Sequence, residues 1–422
     1  MNFLFIHQSF PAQYWRVVAW LRDRGHHVTF VTTPNDNAML NVRKVEYAFD
    51  AAINPTTFEP ARDFEVALRR AETVARVAGD LAKAGFRPDM VIGHHGWGEL
   101  LNIHDVWPNI PLLGYFEFYY HPKGFEVGFD PEFVTPPGRE ARVRAKNAIN
   151  HQALINGGLG QTPTRFQHLT YPEIFRSRIK VIEEGVDLDA CAPDPAAANQ
   201  NLALDSMSLD PKINAALAGV AIQPGQKLVT FVNRTLEPVR GFHIMMRALP
   251  KLLARADVQV VFVGRDSEGY GPALEGGITW KTHFQRELAG AYDPGRVHFV
   301  GNVHYASYVK LLQRADAHVY LTYPFVLSWS LREALACGCA IVASDTAPVR
   351  EFVHDGHNGL LTPFFDAPGL AAQVLRLLED QALNATLRRH ARDRALETLS
   401  LARTLQTYRD TIESLTGQFM PV

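Results

Sequence analysis

At 422 residues the chain exceeds what one hydrophobic core usually serves, so two domains of roughly 200 residues are expected. Hydrophobic residues at 47% and charged residues at 20% exclude a disordered chain. A formal net charge of −2 argues against a nucleic-acid binder that works by neutralising phosphates. The basic cluster Arg139, Arg142, Arg144 and Lys146 is interrupted by Glu140 and reads as a solvated helix face.

In chain order, Asn2–Ile6 reads as a strand and Tyr14–Gly25 as a helix ending on glycine. MNFLFIHQSF is too short and lacks the flanks of a signal peptide. Val28–Thr32 is the next strand, and a long helical stretch over about 62–85 precedes Pro88-Asp89. Met90–Ile92 and Pro111–Tyr115 are strand candidates, Arg139–Asn156 a helix, and Ile179–Ile182 a short closing strand. Asp187–Gly225, rich in Ala, Pro, Asp and Asn, reads as a connection and surface excursion.

Leu228–Val232 and Val258–Val263 are strong strands. Val297–Val300, His318–Leu321, Ala340–Ala343 and a weak Leu360–Thr362 follow, with helices over about 241–255, 305–314 and 330–336. The end, about 369–417, is helical and charged. Continuous apolar strands separated by helices predict parallel sheets covered on both faces. The expected division is 1–190, completed by a helix at about 400–422, then 191–225 as connection, then 226–399. No run of about 18 apolar residues exists, so no membrane span is expected. The three cysteines, Cys191, Cys337 and Cys339, form neither a disulfide framework nor a zinc-type pair, which points to a reduced cytoplasmic protein.

The stretch Tyr323–Asp345 is the most telling. Ser328-Trp329-Ser330 opens onto a helix carrying Glu333, which stops at Cys337-Gly338 before an apolar strand. A helix start offers unpaired N–H groups and a positive dipole end to an anion, and Glu333 stands close enough to accept hydrogen bonds from sugar hydroxyls. Capping by the serines and an ordinary surface glutamate are the simpler readings of the same residues. Arg234 and Arg240 lie on the loop after Leu228–Val232. Gly264, Arg265 and Asp266 follow another strand, at the end where doubly wound sheets bind ligands. A plain turn would account for them too.

These motifs resemble the retaining glycosyltransferases of family 4, group 1. Glu333-Ala334-Leu335-Ala336-Cys337-Gly338 matches the family's E-A-x-A-x-G ending. Asn233–Gly241, Phe299–Val303 with Ala315-Asp316-Ala317, and Asp355–Leu361 match three further segments in the right order. HQSFPAQYWRVVAWLRDRGHHV, VIGHHGWGELL and PLLGYFEFYYHP are similar to one subgroup. The resemblance implies the GT-B fold, two Rossmann-like α/β domains facing across a cleft. It departs at Phe325, where the family carries a first glutamate eight residues before Glu333, and at Val326 and Ser328, where it has glycines.

The resemblance implies that Arg234 and Arg240 grip the donor diphosphate, Arg240 standing where a lysine is common. Gly241, Gly264, Arg265, Asn302, Val303, Ser328, Trp329, Ser330 and Glu333 would hold the rest of the donor. Gln13, His95 and Trp97 would form the acceptor or phosphate loop, with Trp97 as a sugar platform. The His94-His95 pair also invites a metal reading, but no third ligand follows at regular spacing. Glu117, with His121 second, is the candidate polar group at the reaction centre, and a structural glutamate paired with a basic neighbour is the competing reading. The segment GFEVGFDPEFVTPPG is either an acceptor lid, a membrane-touching loop or an ordinary loop. The expected reaction is retaining transfer of a sugar from a UDP- or GDP-linked donor to the hydroxyl of a carbohydrate, lipid-linked or other acceptor. It needs neither a cofactor nor a metal and no nucleic acid partner, and polysaccharide, lipopolysaccharide or other glycoconjugate assembly is the setting. A cytoplasmic location with peripheral contact at the inner membrane face fits such enzymes. A sugar-nucleotide 2-epimerase of the same fold and a catalytically silent nucleotide-sugar binding protein are the alternatives.

Overall fold

The computed structural model describes residues 1–133, 137–156, 158–208, 210–267, 269–271 and 274–420. The chain divides into two compact units, Met1–Glu184 with Ala402–Val422, and Gly185–Leu401. Each is built on one parallel sheet.

In the first unit the strands are β1 (Asn2–Ile6), β2 (His27–Thr32), β3 (Val42–Glu46), β4 (Met90–His94), β5 (Leu112–Tyr115), β6 (Leu159–Thr162) and β7 (Ile179–Val181). Their order is β3-β2-β1-β4-β5-β6-β7. The central strands β1 and β4 are buried almost throughout, as residues covered by helices on both faces must be. Phe3 and Phe5 point to one face, against Tyr14, Val18 and Leu21. Leu4 and Ile6 point to the other, against Val74, Ala78 and Leu100. The last helix, Leu401–Thr416, packs onto the Phe3 face through Tyr408 and Ile412, and Gln161 Nε2 donates to the Tyr408 hydroxyl at 2.7 Å.

Two strands of this sheet carry no apolar run. β3, VRKVE, lies at an edge and alternates exposed and half-buried residues. β6, LGQT, spends a buried position on Gln161.

The second unit holds the short antiparallel pair β8 (Leu202–Ala203) and β9 (Ala221–Ile222). Its main sheet comprises β10 (Lys227–Thr235), β11 (Val258–Arg265), β12 (Val297–Gly301), β13 (Ala317–Tyr320), β14 (Ile341–Ser344) and β15 (Leu360–Thr362). The order is β12-β11-β10-β13-β14-β15. The segment 191–225, expected as connection and surface excursion, contributes to this core instead. Cys191, Leu204, Leu217 and Ile222 are buried with Leu228, Val300 and Leu335. Its Pro- and Asp-rich turns masked the few apolar anchors between them. All three cysteines are buried free thiols.

Among the described residues no helix is long and apolar enough to cross a membrane. Of the segment read as lid or loop, 124–138, residues 134–136 lie outside the described residues.

Candidate donor and acceptor sites

In each sheet the strand order reverses at one place, between β1 and β4 and between β10 and β13. Crossovers leave that crevice open at the carboxyl ends of the strands, the general ligand position in doubly wound sheets.

In the second unit the crevice is lined from β10 by Asn233-Arg234-Thr235 and the turn Pro238–Arg240. Gly241 follows at φ +70°, and a Cβ there would lie 2.3 Å from Leu321 Cβ. Arg240 is only 6% exposed, and its Nη1 donates to Thr322 Oγ1 at 2.9 Å and to the Val326 carbonyl at 2.7 Å. One guanidinium therefore ties the end of β10 to the loop after β13. Its Nε and Nη2 donors have no partner among the described residues. Arg234 is exposed and close enough to Arg265 that burial and the Arg234 charge together pull the Arg265 pKa down. Neither side chain has an ion pair among the described residues. Two neighbouring unpaired guanidiniums repel, and an anion placed between them removes that cost.

Gly264, at φ +150°, brings β11 alongside β10. The Asn302 carbonyl accepts from Met207 N at 2.6 Å, and Val303 packs on the core. The 302–303 backbone is thus partly engaged within the unit.

The helix Trp329–Ala336 is capped by Ser328, whose side chain accepts from Ser330 N. Ser328 N donates to the Tyr320 hydroxyl at 2.9 Å, and Ser330 Oγ to the Val232 carbonyl at 3.3 Å. The amides of Ser328 and Ser330, expected to meet phosphate, are therefore already engaged by the cap and by Tyr320. Trp329 is 37% exposed at the first helical position. Glu333 is buried, and each carboxylate oxygen accepts one phenol, Oε1 from Tyr305 at 3.0 Å and Oε2 from Tyr308 at 2.8 Å. Burial and the Glu333 charge push both tyrosine pKa values up. A carboxylate offers about four lone-pair sites, and the two phenols fix its orientation. Tyr305 and Tyr308 escaped the sequence reading because each looked like one more residue of an amphipathic helix.

At the position of the family's first glutamate, Phe325 is 3% exposed. Its ring meets Tyr270 edge-on at 5.1 Å, and the Arg240 guanidinium carbon lies 5.8 Å from it.

In the first unit, the loop after β1 holds Gln13 half-buried in the turn Ala12–Tyr14. Ala12, standing where glycine is frequent in the family, adopts φ +48°. His7 is buried and pushed down to about 4 by burial, with the Ser9 carbonyl opposing and the Arg70 charge adding to it. His94 accepts from Gly96 N at 2.8 Å and stacks on Trp97 at 4.1 Å. Its Nε2 approaches Glu117 Oε2 to 3.9 Å. Burial, His7 and His95 hold His94 well below the usual imidazole range, so this contact joins a neutral ring to a carboxylate and is not an ion pair.

His94, Gly96, Trp97, Glu117, Phe118, Tyr120, Lys146 and Asn150 line one pocket. Trp97, the candidate sugar platform, and Glu117, the candidate polar group, are brought together in it. Lys146, read as part of a solvated face, instead holds its Nζ 4.0 Å from the Tyr120 ring centroid. Burial opposes its charge, but Tyr120, Asp63 and Glu117 outweigh that and raise its pKa. Helical spacing from the buried Val143, Asn147 and Asn150 is the signal that could have placed it.

Two candidates point elsewhere. His95 is 3% exposed and lies flat on β5, so close that a Cβ on Gly114 would come 2.0 Å from its Cδ2. Burial and His104 push it down to about 3, so it is a neutral core residue and not part of a phosphate loop. His121 Nε2 donates to the Thr170 carbonyl at 2.8 Å, and the ring stacks on Phe125 at 4.3 Å. It anchors its loop and is not among the pocket residues.

Comparison with known proteins agrees with this architecture. Residues 24–191 match the profile of the glycosyl transferase family 4 group, and residues 214–394 that of the glycosyl transferases group 1. The chain belongs to the group 1, family 4 glycosyltransferases. A phosphatidyl-myo-inositol mannosyltransferase of Mycolicibacterium smegmatis is 37% identical over 164 residues, 38% of each chain. A D-inositol 3-phosphate glycosyltransferase of Mycobacterium sp. is 31% identical over 222 residues, 52% of this chain and 43% of that one. The chain thus matches less than half the length of these curated relatives. Sucrose-phosphate synthase of Thermosynechococcus elongatus superposes with TM-score 0.70 at 17% identity, over 99% of both chains. Anabaena HepE in complex with UDP-glucose gives 0.65 at 17%, over 98% of this chain and 100% of that one. These likenesses establish the GT-B fold.

Proposed function

We propose that this chain transfers a sugar, with retention of configuration, from a UDP- or GDP-linked donor to an acceptor hydroxyl, and that it needs no metal to do so. The observation that carries the reading is the group of guanidiniums at the β10–β13 crevice. Arg234 and Arg265 are near enough for their charges to interact and have no ion pair among the described residues, and Arg240 is braced by Thr322 and Val326. Fixed cations are what a departing diphosphate requires, because its charge grows as the glycosidic bond breaks. Glu333, oriented by Tyr305 and Tyr308, would receive the ribose hydroxyls. In the reaction the bond from the anomeric carbon to the diphosphate oxygen breaks, and a bond to the acceptor oxygen forms on the same face. The acceptor proton passes to the leaving phosphate, so no protein nucleophile takes part.

The acceptor side is assigned to the first unit's pocket. Glu117, Lys146, Tyr120 and Asn150 offer donors and acceptors, and Trp97 and Phe118 offer apolar surface, a mixture suited to a polyhydroxylated ring. HepE has been solved with UDP-glucose, and the two mycobacterial relatives are named for transfer to inositol compounds. Both fit a nucleotide-sugar donor and a ring-shaped hydroxyl acceptor here. Glycoconjugate assembly beside a membrane remains part of the proposal.

Thermal shift against UDP, GDP and their common sugar conjugates tests the donor, since a ligand held only by the native state raises its apparent stability. Failure of all of them to stabilise the protein would refute the reading. Phe325 favours one second reading, a silent nucleotide-sugar binder. Donor binding without transfer to any of a broad set of acceptors would support it, and a 2-epimerase would show itself by epimer formation from donor alone.

A further inference from the structure

The loop after β11 is held by a buried carboxylate. Glu237 is fully buried. Its Oε1 accepts from Thr235 Oγ1 at 2.8 Å and its Oε2 from Gly271 N at 2.7 Å. A Cβ on Gly269 would come 2.2 Å from Oε1, so the backbone passes directly over the carboxylate and a larger residue would displace it. Between these two glycines stands Tyr270. It is 46% exposed, its ring meets Phe325 edge-on, and its centroid is 5.5 Å from the Arg240 guanidinium carbon.

We propose that Tyr270 is the donor-sugar contact of this protein, an aromatic platform that takes over from the carboxylate lost at Phe325. The inference rests on the diphosphate reading of Arg240. A sugar is bonded to the phosphate that Arg240 would hold, so a ring this close to the guanidinium is within reach of the sugar. Phe325 cannot make that contact, because Tyr270 and the unit's interior cover it. The exposed member of the pair is Tyr270, which offers a ring to the C–H face of a pyranose and a hydroxyl at its rim. The donor's sugar would then be recognised by its apolar face more than by a carboxylate bridging its hydroxyls. Glu237 is the positioning residue, since its two hydrogen bonds and the Gly269 contact fix where Tyr270 stands.

The test compares UDP with UDP-glucose, UDP-galactose and UDP-N-acetylglucosamine, and GDP with GDP-mannose, by calorimetric titration of wild type, Tyr270→Ala, Tyr270→Phe and Glu237→Gln. In Tyr270→Ala the best-bound sugar conjugate is expected to lose about tenfold in affinity, while the matching free diphosphate changes by less than twofold. Tyr270→Phe should keep most of the sugar's contribution, and Glu237→Gln should lose part of it. An unchanged ratio of conjugate to free diphosphate in Tyr270→Ala, whether both affinities hold or both fall together, would overturn the platform while leaving the diphosphate site standing. Wild type that binds none of the six nucleotides would overturn the diphosphate reading itself, and the platform with it.

Discussion

Arg240 has a structural role and a proposed catalytic one, and measurement separates them. Arg240→Ala removes a cation from the proposed leaving-group site, and kcat should fall about 10²-fold. It also strips Thr322 Oγ1 and the Val326 carbonyl of their donor, so stability should fall by roughly 1–3 kcal/mol. Urea midpoints and turnover report the two losses independently, and a stability loss without a turnover loss would leave only the structural role. Phe325→Glu makes the complementary point. A carboxylate there would replace a ring 5.8 Å from the Arg240 guanidinium carbon and would pair with it. The expected result is a fall in kcat/KM of roughly tenfold, not a gain from restoring the family's residue; a gain would show that Arg240 is not shared.

Glu99 gives a pH-dependent prediction at the same scale. It is fully buried, and burial raises it from 4.5 to about 7 despite the Arg70 guanidinium and hydrogen bonds from Arg70 and backbone amides. A carboxyl raised on folding contributes stability below the unfolded value that is lost as pH climbs through the folded one. Glu99→Gln cannot ionise, so its stability relative to wild type should improve between about pH 4.5 and 7. The gain is about 2–3 kcal/mol, read from denaturant midpoints. A constant difference across that range would show that Glu99 stays ionised beside Arg70.

At the scale of elements, each crevice depends on how closely strands and turns approach. Gly241 starts the helix Phe242–Leu252 from a left-handed residue against Leu321. Gly241→Ala combines left-handed strain of about 1–2 kcal/mol with overpacking of about 1–3 kcal/mol, and should destabilise the second unit by roughly 2–5 kcal/mol. A change below about 0.5 kcal/mol in urea unfolding would mean that the turn relaxes freely. The same scale sets which elements are legible in the sequence. β1, β10 and β11 announce themselves as unbroken apolar runs because helices cover both faces. β3 and β6 do not, since an edge strand keeps charges and β6 uses Gln161 to bond Tyr408, 247 residues away. The basic helix face was partly as expected, with Arg142 paired to Asp63 at 3.0 Å. Lys146, on the same helix, turned into the pocket because Tyr120 and Glu117 arrive there from a different element.

At the scale of the whole molecule, the first unit has an acid-sensitive balance. His7 at about 4, His95 at about 3 and His94 below its usual range all gain protons when the unit unfolds below pH 6.5. Histidines depressed on folding lose their stabilising contribution as pH falls from the unfolded value through the folded one. Glu99 and Glu126, each raised to about 7 by burial, act in the opposite sense. The three imidazoles outnumber the two carboxyls, so stability should drop on acidification from pH 6.5 to 4.5 by on the order of 1 kcal/mol per pH unit. Urea midpoints that stay level over this range would contradict the buried neutral state of the histidines.

Local order was in the sequence: the apolar runs that make two parallel sheets, the glycines and serines that punctuate them, and the arginines and Glu333 at strand and helix ends. Hydrophobic periodicity and turn chemistry act over a few residues, so they can be read without a fold. Only the tertiary structure decided which of those polar groups remain available. It committed the Ser328 and Ser330 amides to a cap and to Tyr320, closed two tyrosines onto Glu333, laid His95 against Gly114, and hung Tyr270 over Arg240 by a carboxylate at Glu237. Hydrogen-bond partners and exclusion from water come from residues far apart in the chain, and no local pattern encodes them.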